Sequence, residues 1–425
     1  MSGVDGLRLI SRTSAALAQS DKVGFDQLAQ RYGITHALEG SLRETNRQLR
    51  VDLRLVGVPA GRTLWAQSYD RSADDVLRLE GDIAQEVARA LALRFGLAAE
   101  DTTITVDPRL YQEYLEARRE AHVRGGSNGL QMLRAILDKA PDYARAHATL
   151  ARLLVTNLRV DPLTPDELEE GKRHAARALE LDPNLTETQT TLAILACRDA
   201  QWARCFDLFE HALALEPSDS DARTAYAYWL CAVGYLDEAI AQTRTAWKYD
   251  PLNRGDDFVL GRLLDTVGRH DEAKPYIDAG GTVWAKWFNA AWRQDFATAG
   301  QLAESMPEEG FRDSYVAITK ALVDPSFWSQ VEPAIVADER RSGRTNIARL
   351  MAPAPDYGRM IPALEAMLRN GWPSYYLLLW MPEQAGLRAD PRFQELLERN
   401  GILAYWNSRG WPSRCHPEGR RAVCP

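Results

Sequence analysis

Six side chains stand out by type and spacing: Arg145, Arg152, Thr190, Tyr228, Arg262 and Asp265. Each falls on the leading helix of an expected helix pair, beside the residues that pack the pair together, so stacked pairs line a groove with them. Arginine and tyrosine are the usual anchors of protein contacts, and arginine grips carboxylates, so the set suits a protein or peptide segment bearing acidic groups. Singly, each is also an ordinary solvated or ion-paired surface residue. No repeated Lys and Asn pattern marks a carboxylate clamp.

No catalytic constellation competes with this set. The seven histidines are scattered, and H-E-x-x-H, G-x-S-x-G and a strand-linked G-x-G-x-x-G are all missing. His270-Asp271-Glu272 follows Gly268 at a turn between helices, where polar residues are expected in any case. Gly125 to Gly129 lacks the preceding strand and the Lys-Ser or Lys-Thr pair of a phosphate loop, and reads as a tight turn. Cys415, His416 and Cys424 fall short of a zinc pattern, and residues 413–425 read as a frayed tail. The expectation is a chain without catalysis, cofactor or metal.

A formal net charge of −8 and a pI near 5.6 argue against nucleic acid, which needs clustered Lys and Arg. The longest apolar run, Tyr375 to Met381, is far short of the roughly 20 residues that cross a bilayer. The first ten residues show no secretory pattern, so a cytoplasmic chain is expected, or an extracytoplasmic one if the start is truncated. Cys197, Cys205 and Cys231 read as buried thiols, and pairing of Cys415 with Cys424, which an oxidising compartment would allow, is left open by the sequence.

The elements that must hold the groove are repeats. A-L-E-L-D-P (178–183), A-L-A-L-E-P (212–217) and A-W-K-Y-D-P (246–251) end at prolines 34 residues apart, with a weaker copy ending at Pro141. That interval is the signature of a helix-turn-helix solenoid. The second repeat carries eight extra residues, placed in the loop around Asp161-Pro162-Leu163. Thr164, Pro165 and Glu167 then supply a cap, a first-turn proline and a reciprocal partner. Small residues at close crossings (Ala151, Ala193, Ala227, Gly261) and larger ones in the gaps are tetratricopeptide positions. The fifth repeat loses its closing proline. Helices continue less regularly past Phe311, and Leu387 to Trp406, with D-P-R-F, reads as a closing helix that caps the stack over Trp372, Trp380, Trp406 and Trp411.

Ahead of the repeats, His36 to Glu44, Gln48 to Val56 and Thr63 to Tyr69 read as an antiparallel meander, since Leu49, Val51, Leu53 and Leu55 alternate with Arg50, Asp52 and Arg54. Leu7 to Ile10 reads as a strand and Phe25 to Gly33 as a short helix. A helix carrying Val76, Leu79, Ile83, Val87 and Leu91 is expected to cover the sheet. Leu28 to Ile34 mimics a DNA-reading helix-turn-helix, but the segment after it leads into strands and not into a recognition helix.

The runs I-S-R-T-S (10–14), Y-G-I-T-H-A-L-E-G-S-L-R (32–43), L-R-V-D-L-R-L-V (49–56) and L-W-A-Q-S-Y-D-R (64–71) resemble the TolB-like N-terminal α/β domain that precedes tetratricopeptide repeats in bacterial adenylate or guanylate cyclases, winged-helix regulators and stand-alone repeat proteins. The family usually begins with a further strand and helix, which this sequence lacks, as it lacks a cyclase, kinase or winged-helix output domain. The expected organisation is a shortened TolB-like α/β domain over 1–106, a tetratricopeptide solenoid over 107–285, an irregular helical continuation and cap over 286–412, and the tail. The resemblance implies a non-catalytic scaffold holding a protein partner, or the sensory half of a cyclase or transcription regulator whose output domain lies elsewhere. Self-association, or association with such an output domain, would then follow.

Overall fold

The computed structural model describes residues 34–45, 48–58, 61–72, 108–121, 127–156, 164–251, 254–307, 311–342, 351, 357–369 and 373–425, with isolated positions before residue 34. The expected strand at Leu7 to Ile10, the helix around Val76 to Leu91, the loop at 161–163 and Trp372 lie outside the described residues, as does most of the helix at 25–33.

Three strands, β1 (His36–Thr45), β2 (Gln48–Gly57) and β3 (Arg62–Ser72), form an antiparallel sheet in sequence order, as the alternation requires. Leu38 pairs with Leu55 and Leu42 with Val51. Leu49, Val51 and Leu55 are buried while Arg50 and Arg54 face water. Val56 is buried as well, which breaks the alternation. The pairing of β2 with β3 shifts between Leu55 and Val56, and a bulge of that kind lets two successive residues turn inward.

Among the described residues, eighteen α-helices follow. The first eight are α1 (Pro108–Ala121), α2 (Ser127–Lys139), α3 (Ala144–Val155), α4 (Pro165–Leu181), α5 (Thr186–Arg198), α6 (Trp202–Leu215), α7 (Ser220–Ala232) and α8 (Leu236–Tyr249). Next come α9 (Arg254–Thr266), α10 (His270–Gly280), α11 (Val283–Trp292), α12 (Phe296–Ser305), α13 (Arg312–Val323), α14 (Trp328–Ser342) and α15 (Tyr357–Arg369). The last three are short: α16 (Ala385–Ala389), α17 (Pro391–Arg399) and α18 (Ile402–Arg409). The leading helices α5, α7 and α9 begin 34 residues apart, and α3 precedes α5 by 42; the extra length is shared between the stretch linking α3 to α4 and α4 itself, which has 17 residues against 14 in α6. Ser127 to Gly129, expected in a turn, form the first turn of α2.

The chain divides into two compact units. One holds Met1–Thr191 with Glu210–Asp219 and Lys248–Leu252, and the other holds Leu192–Phe209, Ser220–Trp247 and Asn253–Pro425. In the first, α1 packs on α2 and α3 on α4 around Tyr114, Leu133, Leu150 and Leu154. The Thr164 hydroxyl accepts from the Glu167 amide while the Glu167 carboxylate accepts from the Thr164 amide, which closes the expected capping box. His147 sits between α3 and α4. Its Nε2 donates to the Pro141 carbonyl (2.8 Å), so its Nδ1 is left to accept from His174 Nδ1 at 2.7 Å. Burial, helped by the His147 ring, holds the His174 imidazole below its usual range.

In the second unit, α9 packs on α10, α11 on α12 and α13 on α14. Gly261 explains the first contact, because a Cβ there would stand 2.7 Å from Ile277 Cδ1, closer than side chains approach. Trp287 is fully buried among Phe288 and Tyr315 and donates to Thr319 Oγ1 at 2.9 Å. Helix pairing therefore continues through Ser342.

Two cysteine expectations change. Cys197 and Cys205 are buried as expected but bonded to each other, where α5 turns into α6. Residues 413–425 are no frayed tail. Strands β4 (His416–Glu418) and β5 (Arg421–Val423) form a hairpin closed by a Cys415–Cys424 disulfide. Gln394 on α17 accepts from the Ala422 amide, which fixes the hairpin to the preceding helices. Cys231 is the free cysteine, and its burial pushes the thiol pKa far up.

Candidate partner-binding site

The six expected groove residues fall on four leading helices, and the structure separates them by environment. Arg145 and Arg152 are both half-buried on α3. Seven residues is close to two helical turns, so they share a face about 10 Å apart. Neither pairs with a carboxylate among the described residues. Beside them Tyr114, Thr149 and Glu187 form a polar chain: the Tyr114 hydroxyl lies 3.0 Å from Thr149 Oγ1, which donates to Glu187 Oε2 at 2.9 Å. Glu187 is thereby hydrogen-bonded inside the protein.

Thr190 on α5 is wholly buried, and its hydroxyl has no hydrogen-bond partner among the described residues. It lines no open groove. A helical face beside packing residues is exposed only if nothing covers it, and spacing alone does not report the cover.

In the second unit the cover is visible. Pro373–Trp380, a 3-10 segment, packs against α7, which carries Tyr228, and against α9, which carries Arg262 and Asp265. Leu377, Leu378, Leu379, Trp380 and Met381 are all buried. Tyr228 and Arg262 remain half-buried, with the Arg262 guanidinium 5.8 Å from the centre of the Phe288 ring.

Asp265 is fully buried and belongs to a polar clasp, contrary to the expectation of a groove carboxylate. Its Oδ1 accepts from Asn289 Nδ2 (2.7 Å) and meets His270 Nδ1 at 3.1 Å. The other imidazole nitrogen lies 3.7 Å from Glu383, on the residues that follow the 3-10 segment. Held between two carboxylates, Asp265 foremost, the His270 pKa is pushed up to about 9, so the ring is cationic at neutral pH. Burial raises the Asp265 carboxyl above its usual range, and the imidazolium and amide work against that cost. With both ring nitrogens committed, His270 is no free general base. The adjacent cleft of about 310 Å³ is lined by Gly268 to Glu272, Trp292 and Arg293, and its charges are already matched, Arg269 with Glu272 and Arg293 with Asp271.

The Leu387 to Trp406 run, read as one closing helix, is three short helices broken by the cap at Asp390 and by Gly401 in the left-handed region. They do not end the stack. They lie along the turns of the helix pairs within their unit: Trp202 Nε1 donates to the Asn400 carbonyl (2.6 Å), Trp406 Nε1 to Val233 (2.9 Å), and the Tyr235 hydroxyl to Gly410 (2.7 Å). Arg409 pairs with Glu238 at 2.8 Å and stacks over Tyr235. Trp380 and Trp406 are buried and Trp411 packs on Trp406, so these tryptophans serve packing as expected.

The helical region has the tetratricopeptide fold. The 34-residue spacing of its leading helices, the close α9–α10 crossing at Gly261 and the helix-turn-helix pairs carry that assignment. No family model matches the sequence. The protein described as "Putative adenylate cyclase 3" of Rhizobium meliloti (strain 1021) is 27% identical over 220 residues, and the match covers 50% of this chain and 37% of that one. Among solved structures, the type IV pilus biogenesis factor PilW is 14% identical at a TM-score of 0.33, covering 54% of this chain and 94% of its own. YrrB, described as a TPR protein with an unusual peptide-binding site, is 17% identical at a TM-score of 0.27, covering 45% and 85%. Among the described residues no helix is long and apolar enough to cross a membrane.

Proposed function

We propose that this chain is a non-catalytic protein-interaction scaffold that seats an acidic segment of a partner protein against α3. The observation that carries the reading is the pair Arg145 and Arg152: two half-buried guanidiniums on one helical face, without carboxylate partners among the described residues. A cation that is partly desolvated and unpaired is costly unless something else supplies the charge, and a partner's carboxylates fit that requirement. Thr190, Tyr228, Arg262 and Asp265 drop out as first contacts, since two are buried and two sit on helices that the 3-10 segment covers. The N-terminal sheet, read as TolB-like, serves in this account as a second docking surface. Reversing both charges (Arg145→Glu with Arg152→Glu) tests the reading, because it removes partner capture while leaving the fold unchanged.

A second reading is favoured by the matched relative, whose name is that of a cyclase. In it the chain is the regulatory portion of a nucleotide cyclase, and catalysis belongs to a separate output domain. The purified chain then forms no cyclic AMP from ATP by itself, and steady production of it would sink both readings. The compartment stays a proposal too. A cytoplasmic placement is pulled against by the Cys415–Cys424 disulfide, since such bonds persist in oxidising settings.

A further inference from the structure

The contacts of Arg388 connect the disulfide hairpin to the segment that packs on α7 and α9. Its guanidinium is buried and donates four hydrogen bonds, all to main-chain carbonyls: Nε to Cys424 (2.9 Å), Nη1 to Leu379 (2.8 Å) and Met381 (2.7 Å), and Nη2 to Pro425 (2.8 Å). Two acceptors belong to the chain's last residues, and two to the segment lying on α7 and α9. Burial pulls the Arg388 pKa down to about 10, which leaves the group charged and dependent on all four acceptors.

A two-stranded hairpin with strands of three residues is not stable unaided in water. Gln394 holds one strand through the Ala422 amide, and the Cys415–Cys424 bond closes the hairpin's open end, next to the Cys424 and Pro425 carbonyls. Without them half of the Arg388 hydrogen bonds go unmade, and the same guanidinium loosens its hold on Leu379 and Met381. Trp380 depends on this placement: a Cβ on Gly234, at the α7–α8 turn, would meet its ring at 3.0 Å.

We propose that Leu377 to Met381 is a built-in occupant of the face that α7 and α9 present to it, latched through Arg388 by the Cys415–Cys424 disulfide, and that a dithiol opens the face by reducing that bond. In that step the dithiol gives up two electrons and two protons, Cys415 and Cys424 become thiols, and the reductant leaves as its cyclic disulfide. The idea deepens the scaffold reading by adding a second, gated docking face. It does not depend on Arg145 or Arg152, so either can fail alone.

The test uses the full chain and a labelled synthetic peptide of residues 373–381 as the probe. Fluorescence anisotropy compares the oxidised protein, the protein treated with dithiothreitol, and the Cys415→Ser/Cys424→Ser variant, with a scrambled peptide alongside. If the occupant leaves on reduction, the affinity rises about tenfold or more, because the competent fraction rises by that factor. The serine variant, which keeps the Cys197–Cys205 bond, then matches the reduced protein without added dithiol. Arg388→Met gives the same gain under oxidising conditions. Equal affinity in all states, no binding in any state, or equal binding of the scrambled peptide overturns the proposal.

Discussion

The indole of Trp406 donates to the carbonyl of Val233, 173 residues earlier in the chain, at 2.9 Å, and its ring is wholly buried. This contact fastens the C-terminal helices to the α7–α8 turn. Truncation to alanine removes a large buried ring and leaves the Val233 carbonyl unpaired, which is expected to cost about 3–5 kcal/mol. Urea denaturation of Trp406→Ala should show a clearly lower midpoint. A midpoint within error of wild type would mean that the C-terminal helices are not part of the cooperative core.

The His270 clasp gives stability a pH dependence of predictable sign. Its folded pKa of about 9 stands above the unfolded 6.5, so the contribution is fully present below pH 6.5 and is lost as pH rises through 9. His174 works in the opposite window, since its pKa is depressed by burial and its contribution fades as pH falls below 6.5. Thermal melts of wild type should therefore lose Tm between pH 6.5 and 9, and His270→Gln should flatten that limb alone. A variant with the same slope as wild type contradicts the clasp.

Thr164 offers a local check on the repeat start. Thr164→Ala removes one half of a reciprocal cap and is expected to destabilise by about 1 kcal/mol. Thr164→Ser, which keeps the hydroxyl, should be nearly neutral in the same chemical melts. Equal losses for both changes would place the effect elsewhere than in the cap.

The hairpin disulfide is checked by mass spectrometry. Unfolding without reductant, alkylation and digestion should yield a linked fragment joining Cys415 and Cys424, and an alkylated Cys231. Alkylated Cys415 and Cys424 from freshly purified, oxidised protein would remove the latch.

Much of this fold was legible because it is written in local periodicity. Prolines 34 residues apart, the alternation of β2 up to Leu55 and the Thr164–Glu167 box are short-range signals, and each reappears at the expected place. What the chain does at long range was not legible. Thr190 and Asp265 have the spacing of groove residues, yet both are buried, and residues more than a hundred positions away cover α9. The apolar run from Tyr375 to Met381 was the available hint, since a run too short to span a bilayer needs a surface to lie on. Asp390 beside Pro391 and the Asn400-Gly401 step likewise marked breaks in what read as one helix. The Cys415–Cys424 pair was an open alternative from spacing, whereas nothing in the sequence pointed to Arg388 as its link to the repeats.

The central claim is that Arg145 and Arg152 on α3 anchor an acidic partner. Affinity capture from native lysate with the full-length chain as bait, quantified by mass spectrometry, tests it most directly. The account predicts at least one protein retained by wild type, released by moderate salt and lost on Arg145→Glu/Arg152→Glu, with thermal melts of bait and variant alike. An identical retained set for both baits, or no specific retention by wild type, would contradict it.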